Sequence, residues 1–270
     1  MATQPATTTD RIAAKFASIK SEGRPGLVVF VTVGHPYREA ALEVVPRLVA
    51  AGADAIELGV PFSDPIGEGP VIQQSSYLAL QNGVTLRDCL DTAANLRPEI
   101  GDTPLILMGY YNTFLTYGLE RFAADCAAAT VDGLIIVDLP SSEAHALVAQ
   151  LAPYGVHLVP LLAPTSTDES IANSVNIGGG FVYCTSVTGI TGARSEVSER
   201  GLDLVDRVRQ HTDLPLAIGF GISRREHVLE VGKRADAAVV GSALVRALGD
   251  GSDDGAAERG AQVVAELAGR

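Results

Sequence analysis

Two carboxylates are placed to work as a pair. Glu57 lies within an apolar run, Ala53-Asp54-Ala55-Ile56-Glu57-Leu58-Gly59-Val60. Glu68 follows in a polar loop stiffened by Pro61, Pro65 and Pro70. The apolar run reads as a strand buried on both faces. A strand carrying an acid, a stiff loop and a second acid is how an enzyme presents an acid/base pair at the end of a sheet. Each acid also has an ordinary reading. Glu57 fits a strand residue turned to the surface and Glu68 a solvated loop charge, because Glu is almost never fully buried without a partner.

The acids meet only if other elements hold the strand and its loop. Apolar patterning predicts strands at Leu27–Val33, Asp54–Leu58, Pro104–Gly109, Gly133–Leu139, His157–Leu162, Gly180–Thr185, Leu214–Gly219 and Ala235–Gly241. Helical spacing follows each of them. A helix at Arg11–Ser21 precedes the first strand, with Ile12, Phe16 and Ile19 on one face and Thr9 or Asp10 as its cap. Arg38–Ala51 reads as a helix with Ala40, Leu42, Val45 and Leu48 inward, and Leu86–Leu96 and Leu119–Ala129 as further helices. Strict alternation predicts a parallel sheet with right-handed crossovers, and eight such units close into a (β/α)8 TIM barrel with an extra N-terminal helix. An open doubly wound sheet is the rival, but Val33-Gly34-His35-Pro36 is not the glycine-rich turn that fold carries after its first strand. The expected organisation is a flexible N-terminus, residues 1–9, and a single domain over 10–270.

In such a barrel the chemistry sits at the C-terminal strand ends. Those ends carry Glu57, Tyr110, Asp138, Tyr183, the Gly219–Gly221 turn and the Gly241-Ser242 turn. The last two pass from strand through glycine into helix. A glycine turn lets backbone N–H groups approach a ligand, so the pair converges on a phosphate, and no Lys or Arg is demanded there. The same glycines also serve simply as tight turns. Asp138 fits a helix-capping acid as well as a functional one. The loop Ser186–Gly201 is long and has the glycines and hydroxyls of a lid.

Composition bounds the rest. The chain has 270 residues, 47% of them hydrophobic, which is ample for a core. Its net charge of -12 argues against nucleic acid. Cys89, Cys126 and Cys184 are widely spaced, with no metal-ligand pattern, and fit a reducing cytosol. No apolar run is long enough to span a bilayer as a helix.

The stretch Glu57-Leu58-Gly59-Val60-Pro61-Phe62-Ser63-Asp64-Pro65-Ile66-Gly67-Glu68-Gly69-Pro70 resembles the signature of the tryptophan synthase alpha subunit family. It departs at Glu68, where the family usually has Asp. Phe30-Val31-Thr32-Val33-Gly34, the Gly-Ile-Thr-Gly after Tyr183, Gly219-Phe220-Gly221-Ile222-Ser223 and Val240-Gly241-Ser242-Ala243 follow in family order, so the similarity runs from about Asp10 to Leu248. The resemblance implies retro-aldol cleavage of indole-3-glycerol phosphate to indole and glyceraldehyde 3-phosphate. It implies Glu57 as the main proton shuttle, its pKa raised by burial, and Glu68 facing the indole N–H. Phe30, Met108, Ile135, Tyr183, Thr191 and Phe220 match positions around the indole. Gly192, Gly221, Gly241 and Ser242 match the phosphate turns. Pro61, Phe62, Asp64 and Asn112 match the side that docks a beta subunit in an alpha2-beta2 heterotetramer. The cofactor PLP would belong to that partner, and this chain would need no metal or cofactor. Two alternatives stay open: a stand-alone lyase, and a weakly catalytic subunit that mainly activates the beta chain.

Overall fold

A computed structural model describes residues 10–185, 199–219, 221–249 and 255–270. Its strands are β1 (Gly26–Thr32), β2 (Ala55–Gly59), β3 (Leu105–Gly109), β4 (Gly133–Ile136), β5 (His157–Leu158), β6 (Leu161–Leu162), β7 (Val182–Thr185), β8 (Leu216–Gly219) and β9 (Ala237–Val240). The helices are α1 (Arg11–Glu22), α2 (Ala40–Ala51), α3 (Pro70–Gln81), α4 (Leu86–Ile100), α5 (Tyr111–Tyr117), α6 (Leu119–Ala128), α7 (His145–Leu151), α8 (Asp168–Ile177), α9 (Glu199–Arg209), α10 (Arg225–Val231), α11 (Ser242–Leu248) and α12 (Ala256–Ala268).

All strand pairs are parallel, in the order β5-β4-β3-β2-β1-β9-β8-β7-β6. The two ends of that ladder, β5 and β6, are halves of the single strand expected at His157–Leu162. Pro160 divides them because it has no N–H to give. Val159 N–H donates to the Leu134 carbonyl on one side, and Tyr183 N–H donates to the Pro160 carbonyl on the other, both at 2.8 Å. One short stretch thus joins both edges of the sheet, and the ring closes as an eight-stranded barrel. The strands are buried throughout apart from half-buried Met108, His157, Leu158 and Leu161. Inward residues such as Val28, Ala55, Ile106, Ile135, Ala217 and Val239 fill the barrel, while Leu27, Val29, Val31, Ile56 and Leu58 pack outward under the helices.

The opposite end of the barrel, at the strand N-termini, is built for stability. Phe16 of α1 lies 5.5 Å from Phe181 and, with Ile12 and Ile19, covers that end. Asp10 caps α1 by accepting from Ala13 N–H. Three aspartates, each just before a strand, repeat one device. Asp54, Asp132 and Asp236 accept the N–H groups of Leu27, Leu105 and Leu216 at 2.9, 2.8 and 2.7 Å. Each also binds arginine: Arg24 grips Asp54 with two nitrogens, Arg11 and Arg97 share Asp132, and Arg209 holds Asp236. Removing one member of such a buried group leaves charge uncompensated. Asp132→Ala is therefore expected to lower stability by about 3 kcal/mol in urea unfolding. Activity per folded molecule should stay unchanged, because Asp132 is at the far end from Glu57.

The element order agrees with the expected eight units, and besides the divided fifth strand four details differ. Helix α2 buries Ala41, Val44, Val45 and Leu48, so Leu42 points outward and is 36% exposed. Helix α4 runs past Leu96 through Pro98 to Ile100. Arg97 holds that end by donating to the carbonyls of Gly101 and Thr103. The fourth strand stops at Ile136, which leaves Asp138 beyond it. Helix α5 was not expected. Its seven residues are mostly aromatic or β-branched, with little helix propensity of their own. It forms because Asp138 accepts the otherwise unpaired N–H of Tyr111 at 2.7 Å and because Phe114 packs on Phe122 at 4.6 Å. Asp138 is thus a capping acid, acting on α5 rather than on the segment after it.

Candidate active site

Glu57 pairs across the sheet with Phe30 of β1 and Ile106 of β3. It lies one inward layer above Ala55, toward the strand C-termini. It is 1% exposed, and its Oε1 has no hydrogen-bond partner among the described residues. Burial pushes its pKa up to about 8. A buried Glu with an unsatisfied oxygen has no structural explanation, because stabilising cores satisfy or exclude such groups. Burial therefore holds the carboxyl protonated at neutral pH.

Glu68 reaches the same region from the loop before α3. The Tyr110 hydroxyl donates to Glu68 Oε2 and accepts the Gly67 N–H at 2.8 Å. The Tyr110 ring stacks on Phe62 at 4.7 Å. Burial raises the Glu68 pKa to about 7; the Tyr110 hydrogen bond opposes that rise, and the charge of Asp138 adds to it. The loop can approach Tyr110 this closely because residue 67 is glycine. A Cβ there would stand 2.7 Å from Val137 and 3.1 Å from the Tyr110 hydroxyl. Tyr110 is the partner that sequence reasoning missed. Its position at the end of the third strand was visible, but its contact with a loop 42 residues earlier was not.

Aromatic residues wall the cavity. Tyr183 is buried on β7, and burial first, then the charges Glu57 and Glu68 carry once ionised, hold its hydroxyl pKa well above the usual tyrosine range. Gly219 on β8 makes room for it, since a Cβ there would lie 2.1 Å from the Tyr183 hydroxyl. Gly59 does the same for the Phe30 ring, with 2.4 Å to a ring carbon. Glycine in a strand interior often marks such a close approach.

One cavity joins Phe30, Glu57, Glu68, Met108, Tyr183, Gly221, Gly241 and Ser242. These residues come from both halves of the barrel. Gly221 has φ +82° and nothing within 4 Å of where a Cβ would be, so its backbone faces open space. Ile135 is not on the cavity wall. It is fully buried in the inner core beneath, in the cluster against which Met108 packs. Thr191, Gly192 and Phe220, and most of the expected lid, lie outside the described residues. Pro61, Phe62, Asp64 and Asn112 lie outside the cavity. Pro61 is buried, Phe62 is half-buried on Tyr110, and Asp64 and Asn112 are exposed. Among the described residues no group of three His, Cys, Asp or Glu is placed to hold a metal. No helix among them is long and apolar enough to cross a membrane.

A closed (β/α)8 barrel, with one buried and one half-buried acid and two glycine turns opening on one cavity at its C-terminal face, defines an acid/base enzyme of the TIM-barrel class. The comparisons make this specific. The family model described as tryptophan synthase alpha chain matches residues 16–269, and the chain belongs to that family. The Chloroflexus aggregans tryptophan synthase alpha chain is 50% identical over 236 residues, covering 87% of this chain and 88% of the relative. That of Roseiflexus castenholzii is 49% identical over 238 residues, 88% of this chain and 91% of the relative. Among solved structures, Mycobacterium tuberculosis tryptophan synthase superposes with TM-score 0.89 at 36% identity, covering 96% of this chain and 97% of the other. The Legionella pneumophila alpha chain superposes with TM-score 0.84 at 29% identity, covering 96% of each. The reaction is that of the family, a carbon–carbon lyase step in tryptophan biosynthesis in which indole-3-glycerol phosphate is cleaved to indole and glyceraldehyde 3-phosphate.

Proposed function

We propose that Glu57 carries both proton transfers of the cleavage and that Glu68 holds the indole ring. The observation behind this is the unpartnered carboxyl of Glu57 facing the same cavity as Glu68. Protonated Glu57 gives its proton to indole C3, which leaves the ring nitrogen positively charged. Glu68, as carboxylate, accepts the indole N–H and offsets that charge. Glu57, now ionised, takes the proton of the hydroxyl next to C3. The carbonyl forms, the C3–carbon bond breaks, and its electron pair returns to the ring. Glu57 ends protonated, as it began. Phe30, Met108 and Tyr183 bracket the ring, and Ile135 supports that wall from below; Thr191 and Phe220 keep the indole-binding role that the family resemblance gives them. The turns at Gly192, Gly221, Gly241 and Ser242 take the phosphate.

This division predicts a narrow pH profile. kcat/KM should rise as Glu68 ionises near pH 7 and fall as Glu57 ionises near pH 8. The two limbs are apparent values of the coupled pair. A profile flat from about pH 6 to 9 would remove this assignment.

The loop of Pro61, Phe62 and Asp64 and the nearby Asn112 form the docking side for a beta subunit, in an alpha2-beta2 assembly that carries PLP in the beta chain. The chain acts as one domain over residues 10–270, in the cytoplasm. The deciding experiment is indole release from indole-3-glycerol phosphate by the isolated chain, with and without a beta subunit. Release that rises on adding beta subunit supports the reading. Release indifferent to the beta subunit points to a stand-alone lyase, and none in either condition to an activator subunit.

A further inference from the structure

The acid pair shares its cavity with a cation. Arg246 of α11 lines the same wall as Glu57, Gly221 and Ser242, and it is the only Lys or Arg among the described residues that do so. It stands four residues after Ser242, so both lie on one face of the helix. Helical side chains lean toward the helix N-terminus, and Arg246 lines one cavity with Ser242 and Gly221.

Arg246 is not occupied elsewhere by any ion pair of the described residues. It is not needed to close the end of α11 either. Arg259 does that, donating to the Ala247 and Leu248 carbonyls at 2.8 and 2.7 Å. The protein around the cavity is acidic, with two glutamates on the wall and a net charge of -12 on the chain. A phosphate dianion entering such a field gains from a local counter-charge.

We infer that Arg246 binds the substrate phosphate and gives the site its preference for phosphorylated over unphosphorylated ligands. The inference rests on the reading that the phosphate lies at the Gly221, Gly241 and Ser242 turns. The backbone N–H groups there fix where the phosphate sits, and Arg246 supplies charge and a forked pair of donors.

The test is inhibition of the lyase reaction by glycerol 3-phosphate, in the natural chain and in Arg246→Gln and Arg246→Lys, with the beta subunit present. A crystal structure of the natural chain with glycerol 3-phosphate accompanies it. Arg246→Gln should weaken inhibition about tenfold at low salt, as expected for a charged hydrogen bond at a solvent-exposed site. Its loss should fall on KM for the substrate rather than on kcat. Arg246→Lys should recover part of the loss. The gap between natural and Gln forms should close as salt approaches about 1 M, where screening is nearly complete. If the phosphate lies on the turns but glycerol 3-phosphate inhibits Arg246→Gln as strongly as the natural chain at every salt concentration, the inference about Arg246 is wrong. If the phosphate lies elsewhere, the reading of the turns fails first.

Discussion

Glu57→Gln is expected to abolish indole release, with a loss of at least about 10²-fold, while the barrel and its partner binding stay intact. Gln fills the same volume but can neither give a proton to indole C3 nor take one from the hydroxyl. A loss of roughly tenfold or less would demote Glu57 from acid/base to a binding role. Stability offers a second readout that separates function from folding. Burial raises the Glu57 pKa from 4.5 to about 8, so between those values the folded chain holds a proton that the unfolded chain has released. Stability must then fall as pH rises through that window. Gln does not titrate, so the variant should lose less stability than the natural chain between pH 5 and 8. The slope that remains below about pH 7 belongs to Glu68. Denaturant unfolding at the two pH values measures the difference. An inactive variant with an unchanged pH slope would mean that the Glu57 carboxyl is not desolvated as described.

Glu68→Ala is expected to cost at least about 10²-fold in cleavage, and Glu68→Asp should also lose activity. The second result is the more telling, because Asp is what the family usually places there. Glu extends the carboxylate on the order of 1 Å beyond Asp, and catalysis is sensitive to displacements of that size. The structure gives this length a setting. The loop rests on Tyr110 through the Gly67 N–H, and Tyr110 is held in turn by its stack on Phe62 and its bond to Glu68. Gly67 lets the backbone lie close against Val137, where any larger residue would collide. In a loop seated this way the shorter acid falls short of either Tyr110 or the ring. Indole-release rates for the isolated subunits decide the matter. If Glu68→Asp were clearly faster than the natural chain, the loop would not be set for Glu, and Glu68 would mark an impaired catalyst.

Much of this was legible in one dimension. Eight apolar runs alternating with helical spacing specify the barrel, because each strand is buried on both faces and each helix on one. The acid at the end of the second run, the second acid after a proline-stiffened loop, and the strand-glycine-helix turns of the last two units are local patterns, and local patterns survive in sequence. Other features depend on which residues the ladder brings side by side. The 1% exposure that raises the Glu57 pKa follows from Phe30 and Ile106 as its neighbours across the sheet. The Tyr110–Glu68 bond, the capping of α5 by Asp138, and the clamp of Asp132 on Leu105 N–H and two arginines span between 27 and 121 residues. Arg246 looks in sequence like any cation at the end of a helix. Only the closed ring, sealed across Pro160, turns α11 so that this side chain shares a wall with Glu57. Periodicity reports whether a residue is buried, whereas partners and pKa values follow from the three-dimensional register, which no single segment encodes.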